Sequence, residues 1–439
     1  MKDYKKKLLK IFIPIMLSNL ISQVQMLIDR IFLGRLDVLY MSAVGNSSAP
    51  MWATLSAVFS LSVGASILIS QAVGEGNKQK VEEYSSALLK YNNIIPVILF
   101  FFWTFLCRQV FLLMGVGENV IEYCVTYSRY FAPSFLVMGF GASFIVILQT
   151  SNYTKHLASY AIIRSVVNII LDYCMIFGHF GFPAMGIKGA ALATTCAEYT
   201  GMIFGAIVFV SSRKITTRPK FSSVISAKIR PFITSVKLGV NTALEDFIWQ
   251  LGNLGIIRIL NSINETAAGI FTLVFSFEII VVVIIAALGN STMTCCGEAT
   301  GAKDQKLFTS VVKTAYSWSA CLAVVCVILS LLIPENIIGI FTTDKGIIET
   351  SSIFLFLISV NLFGKSGNII VGNGIRGYGD TRWMFCTQIF GTVFVVLAAC
   401  LFVYGLKLGM IGVYFAVISD EILRAIINTV RFKRIRIEG

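Results

Sequence analysis

The sequence predicts an all-α membrane protein of twelve transmembrane helices arranged as two six-helix lobes. The 439-residue chain is 56% hydrophobic and only 13% charged, with a mean hydropathy of +0.80. That composition is more apolar than the core of a soluble domain requires. Apolar stretches of about 20 residues recur from end to end, each long enough to cross roughly 30 Å of hydrocarbon as a helix. An internal repeat divides the stretches into two sets of six.

The apolar stretches are numbered spans 1 to 12 in chain order. They lie near 11–33, 46–73, 91–113, 127–149, 158–178, 187–210, 234–259, 267–295, 314–334, 350–372, 384–405 and 409–430. The basic start MKDYKKKLLK resembles that of a signal peptide, but the apolar stretch after it is longer and more polar and lacks a small-x-small cleavage site. We therefore expect span 1 to be retained as an uncleaved helix.

Most of the 36 Lys and Arg residues fall on the segments that one side of the membrane would share. Because Lys and Arg favour cytoplasmic loops, both termini are expected to be cytoplasmic, with the chain in the cell membrane. The net charge of +13 is scattered over membrane-edge segments, where it meets anionic lipid, so no nucleic-acid partner is expected.

No enzyme motif is visible. The sequence contains no GxSxG, HExxH, Walker loop or CxxC pair, and His156 and His179 are its two histidines. The ten cysteines are spread through apolar spans, where a cysteine acts as a small hydrophobe by default. We expect neither enzymatic activity nor a cofactor.

The two halves align at a shift of 227 positions, which becomes 223 after a four-residue difference in one loop. QAVGEGNKQK (71–80) falls on CGEATGAKDQK, and MGIKGAALATTCAE (185–198) falls on GMIGVYFAVISDE. Each lobe has an even number of spans, so the lobes share one orientation and are related by a pseudo-two-fold axis along the membrane normal. The expected lobes are 1–210 and 234–439, joined by the cytoplasmic linker 211–233. Two similar bundles facing a cleft are typical of an alternating-access carrier.

Six features in order resemble the multidrug and toxic compound extrusion (MATE) family of the multidrug/oligosaccharidyl-lipid/polysaccharide exporter superfamily. They are Pro14, LIDRIFLGRLDVLYMSAVG, QAVGEGNK, NIILD, GIKGAALAT and IRGYGDTR. The resemblance covers nearly the whole chain and implies a monomer that exports small cationic or amphipathic compounds (drugs, toxins or metabolites) in exchange for H⁺ or Na⁺. A flippase for lipid-linked saccharides, from the same superfamily, is the alternative function. An intramembrane aspartyl protease is a remote one.

Polar side chains form single faces on spans 1 and 5. Span 1 carries Ser18, Ser22, Gln25 and Asp29 at i, i+4, i+7 and i+11, and span 5 carries Ser165, Asn168 and Asp172 at i, i+3 and i+7. Both helices run outward, so Asp29 and Asp172 are expected to lie at similar depth and to meet. Two adjacent buried carboxylates cannot both ionise cheaply, so one is expected to hold a proton near neutral pH.

Alternatively, the two acids with Asn168 and Thr194 offer oxygen ligands for Na⁺. The MATE resemblance implies the same cation-coupled site, formed by Asp29, Asn168, Asp172 and Thr194. The competing structural interpretation is that Asp29 forms an ordinary ion pair with Arg30 at a helix end.

The second half carries a different set of charges: Glu245 and Asp246 in span 7, Glu278 in span 8 and Lys365 in span 10. The repeat places Glu245 opposite Ser18. An acid of span 7 at the depth of Lys365 predicts a salt bridge, which either alternates with a bound cationic substrate or is permanent. Glu278 is expected to face the cleft or Lys365. Many MATE members use a span 7 glutamate with a span 10 aspartate, and this chain has no aspartate in span 10.

Span 12 carries Asp420, Glu421 and Arg424, whose spacing predicts a local ion pair. Glu198, the repeat counterpart of Glu421, has no such arginine.

The stretch GNGIRGYGDTR (372–382) matches two unrelated site motifs, the G-x-G-x-x-G of a dinucleotide cradle and the GxGD of an intramembrane aspartyl protease. A dinucleotide cradle needs a preceding strand and a soluble βαβ unit, whereas this stretch lies between two spans. The protease needs a second aspartate, normally in a Tyr-Asp pair, and the chain has no Tyr-Asp dipeptide. We expect a tight, glycine-rich turn between spans 10 and 11.

Overall fold

The structure is a computed structural model that describes residues 3–34, 36, 38–151, 153–212, 215–263, 266–342 and 344–437. Within helices, the side chains of Asp3, Arg30, Val38 and Ala57 are outside this description. The described residues form helices and short connections, without a strand.

Twelve long helical segments correspond to the twelve predicted spans. In chain order they are Asp3–Gly34, Val38–Gly74, Lys78–Tyr91 with Ile94–Phe105, Glu118–Phe131 with Phe135–Thr150, Lys155–Phe177, Ile187–Ser211, Ile229–Ile263, Ala267–Gly301, Gln305–Leu332, Lys345–Tyr378, Thr381–Cys400 and Gly409–Arg434. Short helices occupy Cys107–Leu113, Phe221–Ser226 and Pro334–Gly339, a 3₁₀ turn occupies Ala132–Ser134, and a π-helical turn at Leu401–Gly405 extends span 11.

Ten helices of the described chain are long and apolar enough to cross a membrane. The other two long helices, spans 7 and 12, have 35 and 26 residues, which at a rise of 1.5 Å per residue also exceed roughly 30 Å. They are more polar because they carry the acids and the arginine that the sequence places in the second half. The prediction of an all-α membrane protein is confirmed.

The chain packs as two compact units. The N unit comprises Ile13–Val73 and Asn77–Val240, and the C unit comprises Met1–Phe12, Gly74–Gly76 and Asn241–Gly439. The lobe boundaries at 1–210 and 234–439 and the linker 211–233 remain predictions.

The core of the N unit includes an aromatic cluster formed between the helices of spans 2 to 4. Trp103, Phe111 and Phe135 are fully buried in it, and the Trp103 indole Nε1 donates to Thr54 Oγ1 at 3.1 Å. Burying aromatic side chains of this size contributes much of the apolar area of a packed bundle. The cluster holds spans 2, 3 and 4 in fixed register and so supports the helices beside them.

The core of the C unit includes a stacked aromatic pair. The rings of Phe354 in span 10 and Tyr414 in span 12 lie 4.8 Å apart, and Phe271 of span 8 packs against Tyr414. This contact sets the spacing of spans 8, 10 and 12, the three helices that carry most of the charges of the second half.

The stretch GNGIRGYGDTR is mostly helix, so the expectation of a glycine-rich turn is wrong for most of it. Span 10 continues to Tyr378, and the turn consists of Gly379, whose φ of +108° suits glycine, and Asp380. Asp380 caps span 11 by accepting from the Trp383 amide at 3.2 Å, and it pairs with Arg431 at 2.6 Å. Gly377 lies inside the helix, where a Cβ atom would stand 2.5 Å from the Met293 carbonyl oxygen. The glycine therefore serves helix packing.

We predict that Gly377→Ala destabilises the protein by about 1–3 kcal/mol, because the added methyl group overpacks a contact with span 8. The matched control is Gly269→Ala, another helical position, where a Cβ would meet no atom within 4 Å. That control should be neutral or slightly stabilising, since alanine is the better helix former. Thermal unfolding of the two variants in detergent measures the difference. Equal melting temperatures would show that the close packing at Gly377 is not limiting.

Candidate functional site

The predicted polar faces of spans 1, 5 and 6 meet in the N unit as one hydrogen-bonded chain. Ser165 Oγ donates to Gln25 Oε1 at 2.7 Å, and Gln25 Nε2 donates to Asn168 Oδ1 at 2.6 Å. Asn168 Nδ2 donates to Thr194 Oγ1 at 3.3 Å, and the Thr194 hydroxyl donates to the Ala190 carbonyl at 3.0 Å. Gln25 and Asn168 each use both the oxygen and the nitrogen of the side-chain amide in these bonds. The side chains of the three helices are therefore fixed relative to one another.

Asp29 and Asp172 lie one helical turn beyond Gln25 and Asn168 and interact directly with each other, and Gln25 is also a hydrogen-bonding neighbour of Asp29. Asp172 is only 1% exposed. Within the described residues no hydrogen-bond donor reaches either Asp172 oxygen or Asp29 Oδ1. Three buried carboxyl oxygens of this pair are therefore without a donor, which is rare for buried polar groups. The side chain of Arg30, the alternative partner of Asp29, lies outside the described structure.

Tyr127 is a neighbour of the two acids that sequence patterns did not reveal. It belongs to span 4 and is close enough to both carboxyl groups to interact with them electrostatically. Tyr127 also lines a small pocket with Met51, Trp52, Leu55 and Phe131. A single tyrosine among many aromatic residues carries no spacing signal, so only the packing identifies it.

Arg164 of span 5 ties together the same three helices. Its NH1 group pairs with Glu198 Oε1 of span 6 at 2.9 Å, and its NH2 group donates to Ser22 Oγ of span 1 at 3.0 Å. Glu198 thus has an arginine partner after all, on the neighbouring helix and not on its own. Residue spacing predicts ion pairs within one helix only, so this pair between two helices leaves no spacing signal in the sequence.

The second repeat has an apolar side chain or a glycine at every position of this site. The counterparts of Gln25, Asp29, Asn168, Asp172 and Thr194 are Gly252, Ile256, Val395, Ala399 and Val417. Ile256, Val395 and Ala399 are buried in an apolar cluster of the C unit, with Val417 packed against it. The same helix arrangement is therefore stable with an ordinary hydrophobic core, so the fold does not require the acids, the amides or the threonine.

The buried arginine, by contrast, is present in both repeats but on different helices. The counterparts of Arg164 and Gly201 are Gly391 and Arg424. A Cβ atom at Gly391 would overlap the Arg424 side chain, so the glycine makes room for the arginine. Each unit thus places one guanidinium against its equivalent glutamate, Glu198 or Glu421.

The charged residues of the C unit form two groups of ion pairs. Lys365 Nζ donates to Glu278 Oε1 at 2.7 Å and lies 3.9 Å from Glu421 Oε1. The expected pair of Lys365 with a span 7 acid is wrong, because Glu245 instead accepts from Arg376 NH2 at 2.5 Å. Arg376 lies 11 residues beyond Lys365, about 16 Å along the same helix. The helical continuation of span 10 places this second base beside span 7.

Span 12 forms the local ion pairs that its spacing predicts. Arg424 contacts both Asp420 oxygens, at 2.7 Å to Oδ2 and 3.0 Å to Oδ1, and lies 3.2 Å from Glu421. The network extends further than the spacing indicates, since Arg424 NH1 also donates to Gln388 Oε1 at 2.8 Å. The remaining acid, Asp246, lines the same cavity as Glu245.

That cavity has a volume of about 220 Å³ and is bounded by spans 7, 8, 10, 11 and 12. Its charged lining residues are Glu245, Asp246, Lys365, Arg376, Glu421 and Arg424. A smaller cavity of about 50 Å³ shares Lys365 and Arg424 and adds Glu278 and Asp420. The folded structure therefore gathers charges of the second half around two adjoining cavities.

We predict that the first-repeat arginine can be relocated to its second-repeat position. Arg164→Gly leaves Glu198 without its cation and should cost up to about 3 kcal/mol of stability, less than for a fully buried pair because the Arg164 side chain is 21% exposed. Tyr160→Thr/Arg164→Gly/Gly201→Arg copies the second-repeat residues Thr387, Gly391 and Arg424 and should recover most of that loss. Thr replaces Tyr160 because its ring lies 3.2 Å from a Cβ at Gly201.

The matched control for this relocation is Tyr160→Thr/Arg164→Gly, which lacks the new arginine. Thermal unfolding in detergent compares the three proteins. A triple variant no more stable than the control would show that the two guanidinium positions are not interchangeable.

Comparison with known proteins gives concordant results. The family model described as MatE matches residues 14–174 and 242–401, one match in each half. The probable multidrug resistance protein NorM of Thermotoga maritima is 26% identical over 98% of this chain and 92% of its own length.

A crystal structure of MATE in the bent conformation superposes with a TM-score of 0.90 at 19% identity, over 98% of this chain and 94% of the other. An outward-facing multidrug resistance MATE family transporter of the MOP superfamily superposes at 0.88 and 19% identity, over 98% and 95%. These structures show the same fold, which confirms the predicted twelve helices in two lobes. With a family match in each half, the chain belongs to the MatE family and is a multi-pass membrane transporter, not an enzyme.

Proposed function

We propose that the chain is a proton-coupled antiporter that exports small amphipathic or cationic organic compounds, with Asp29 and Asp172 as the proton-binding pair. The observation that carries this proposal is the contact of two buried carboxyl groups without a donor between them, at positions where the second repeat has Ile256 and Ala399. Buried acids that the fold does not require are functional candidates in a membrane protein. The name of the Thermotoga maritima relative, a probable multidrug resistance protein, supports drug-like substrates.

A proton suits this geometry better than Na⁺ does. One proton placed between the carboxyl groups supplies the missing donor and removes one of two adjacent negative charges. A Na⁺ ion would need further oxygen ligands from Asn168 and Thr194. Asn168 Oδ1 already accepts from Gln25 Nε2, and Thr194 Oγ1 already accepts from Asn168 Nδ2. Sodium at Asp29, Asn168, Asp172 and Thr194 is therefore the second candidate.

Proton binding can drive transport because it changes the charge of a buried site. With both acids ionised, the pair favours a conformation in which water reaches it, since burying two like charges is costly. After proton uptake the pair tolerates a dry, closed environment. A carrier whose conformations differ in the solvation of this pair will therefore shift its population when a proton binds. The polar chain of Gln25, Asn168 and Thr194 holds the helices of the site in place during this change.

The same proposal places the protein in the cell membrane as a monomer with both termini cytoplasmic, in contact with lipid. No feature of the described structure favours a lipid-linked saccharide flippase or a protease. Transport of a lipid-linked saccharide without response to a pH gradient would support the flippase and overturn the antiporter.

We predict that Asp172→Asn lowers proton-driven efflux of ethidium by at least about tenfold, because an asparagine cannot take up and release the coupling proton. Asp29→Asn should have a similar effect. Efflux is measured in proteoliposomes with an imposed pH gradient and no Na⁺. The control Glu335→Gln neutralises an acid in a short helix outside the site and should behave as wild type. Wild-type efflux by the correctly inserted Asp172→Asn variant would refute the proposed role of this pair.

We also predict that a Na⁺ gradient imposed at equal pH on both sides drives no ethidium efflux through the wild-type protein. The reason is that the oxygens of Asn168 and Thr194 are engaged within the site. Efflux under the pH gradient alone supports the proton assignment. Efflux under the Na⁺ gradient alone, lost in Asn168→Val, would instead establish the sodium site.

A further inference from the structure

The predicted linker 211–233 between the two repeats carries charge of one sign. It contains six Lys or Arg residues and no Asp or Glu. Three of these bases, Lys220, Lys228 and Arg230, are exposed in the described structure. A group of bases without acids at the ends of membrane helices favours contact with an anionic surface.

The short helix Phe221–Ser226 within this linker has an apolar face without a protein partner. Phe221 is 81% exposed, and Ile225, one turn later on the same face, is 62% exposed. Ser223 lies on the opposite face, where its hydroxyl donates to Glu82 Oε1 of span 3 at 2.6 Å. The helix is therefore amphipathic, with a serine side toward the N unit and an apolar side away from it.

Hydrogen bonds to span 3 fix the depth of the linker. Lys90 Nζ donates to the carbonyl oxygens of Ile225 and Ala227 at 2.5 and 3.1 Å, and the Tyr91 hydroxyl donates to the Ala227 carbonyl at 2.8 Å. Lys90 and Tyr91 stand where the sequence predicts that span 3 begins, near residue 91. The end of the linker helix therefore lies at the edge of the hydrocarbon region of the membrane.

The flanking membrane helices show exposed apolar side chains up to the linker. Ile207 and Val210 near the end of span 6 are exposed, and so are Ile229 and Ile233 at the start of the span 7 helix. The apolar face of the linker helix lies between these two sets along the chain. An amphipathic helix with bases beside its apolar face is typical of a segment that lies in the membrane interface.

We propose that the linker is a docking surface for anionic phospholipid. The helix Phe221–Ser226 lies in the headgroup layer with Phe221 and Ile225 toward the acyl chains, and Lys220, Lys228 and Arg230 bind lipid phosphate groups. The proposed topology assigns this contact to the cytoplasmic leaflet. The lipid contact is separate from proton coupling and from substrate binding, and it depends on neither.

Site-directed photo-crosslinking tests this docking. The photoreactive amino acid p-benzoylphenylalanine replaces Phe221 in one protein and Ser226 in a matched control. Ser226 is also exposed but lies about 140° away around the same helix. Each protein is reconstituted into vesicles with equal amounts of phosphatidylglycerol and phosphatidylcholine in both leaflets, so the direction of insertion does not matter. After irradiation, mass spectrometry of the intact protein measures the adducts with each lipid.

The probe at position 221 should form at least about fivefold more lipid adduct than the probe at position 226, because only the first faces the acyl chains. Adducts with phosphatidylglycerol should exceed those with phosphatidylcholine about threefold. Lys220→Gln/Lys228→Gln/Arg230→Gln should bring this ratio close to about one. The total adduct should fall less than about twofold in that variant, since the apolar face is unchanged.

The matched charge control is Lys306→Gln/Lys313→Gln/Lys433→Gln, which removes three exposed bases of the C unit. It should keep the threefold preference of the probe at position 221, because the linker bases are intact. Melting temperatures establish that each protein is folded. Should the probe at position 221 prevent folding, the same probe in place of Ile225 makes the same test.

A probe on the apolar face that gives no more lipid adduct than the probe at Ser226 would overturn the proposal. Crosslinks to a second copy of the chain in place of lipid would do so too, since the face would then be a protein interface. A phosphatidylglycerol preference that survives loss of the three linker bases, or that disappears equally in the C-unit control, would refute their role in binding phosphate.

Discussion

A charged side chain inside a membrane helix must find a partner or water, and this constraint governs where the polar residues of the protein can lie. The described structure meets it with ion pairs between helices: Arg164 with Glu198, Lys365 with Glu278, and Arg376 with Glu245. Such pairs contribute little net stability compared with apolar packing, but losing one partner is costly. The pair of Asp29 and Asp172 is the exception, because two acids meet there and neither Asp172 oxygen has a hydrogen-bond donor within the described residues.

The internal repeat serves as a comparison within one molecule. Where the N unit has Asp29, Asn168 and Asp172, the C unit has Ile256, Val395 and Ala399. Where the C unit has Glu278 and Lys365, the N unit has Met51 and Met138. Each unit thus has a polar site at positions where the other has a hydrophobic core. Comparing the two repeats therefore distinguishes residues that the fold needs from residues that are retained for a function. The buried arginine near Glu198 and Glu421 is shared by both repeats and belongs with the fold.

The two units therefore differ in the kind of polar site that they hold. One unit holds a pair of acids suited to a small coupling ion, and the other holds a larger cavity with charges of both signs. A transporter that binds its coupling ion and its substrate at separate places must link them through conformation, since neither ligand displaces the other directly. If the ion and the substrate competed for one site, loss of the acid pair would change substrate affinity directly. If they are coupled only through conformation, each site keeps its own affinity when the other is removed.

The sequence by itself determined the membrane class, the helical spans, the repeat and the polar faces of spans 1 and 5, because these depend on hydropathy and on the spacing of residues along one helix. It also located the Arg424 ion pairs, which form within a single helix. The sequence did not predict pairs between helices. These are Arg164 with Glu198, and Glu245 with Arg376 instead of the expected Lys365. The glycines of GNGIRGYGDTR predicted a turn where the structure has mostly helix, because glycine is equally suited to a turn and to a close helix contact. Only tertiary structure decided these, because the rotation and depth of one helix against another are set by packing of side chains that are distant in the chain.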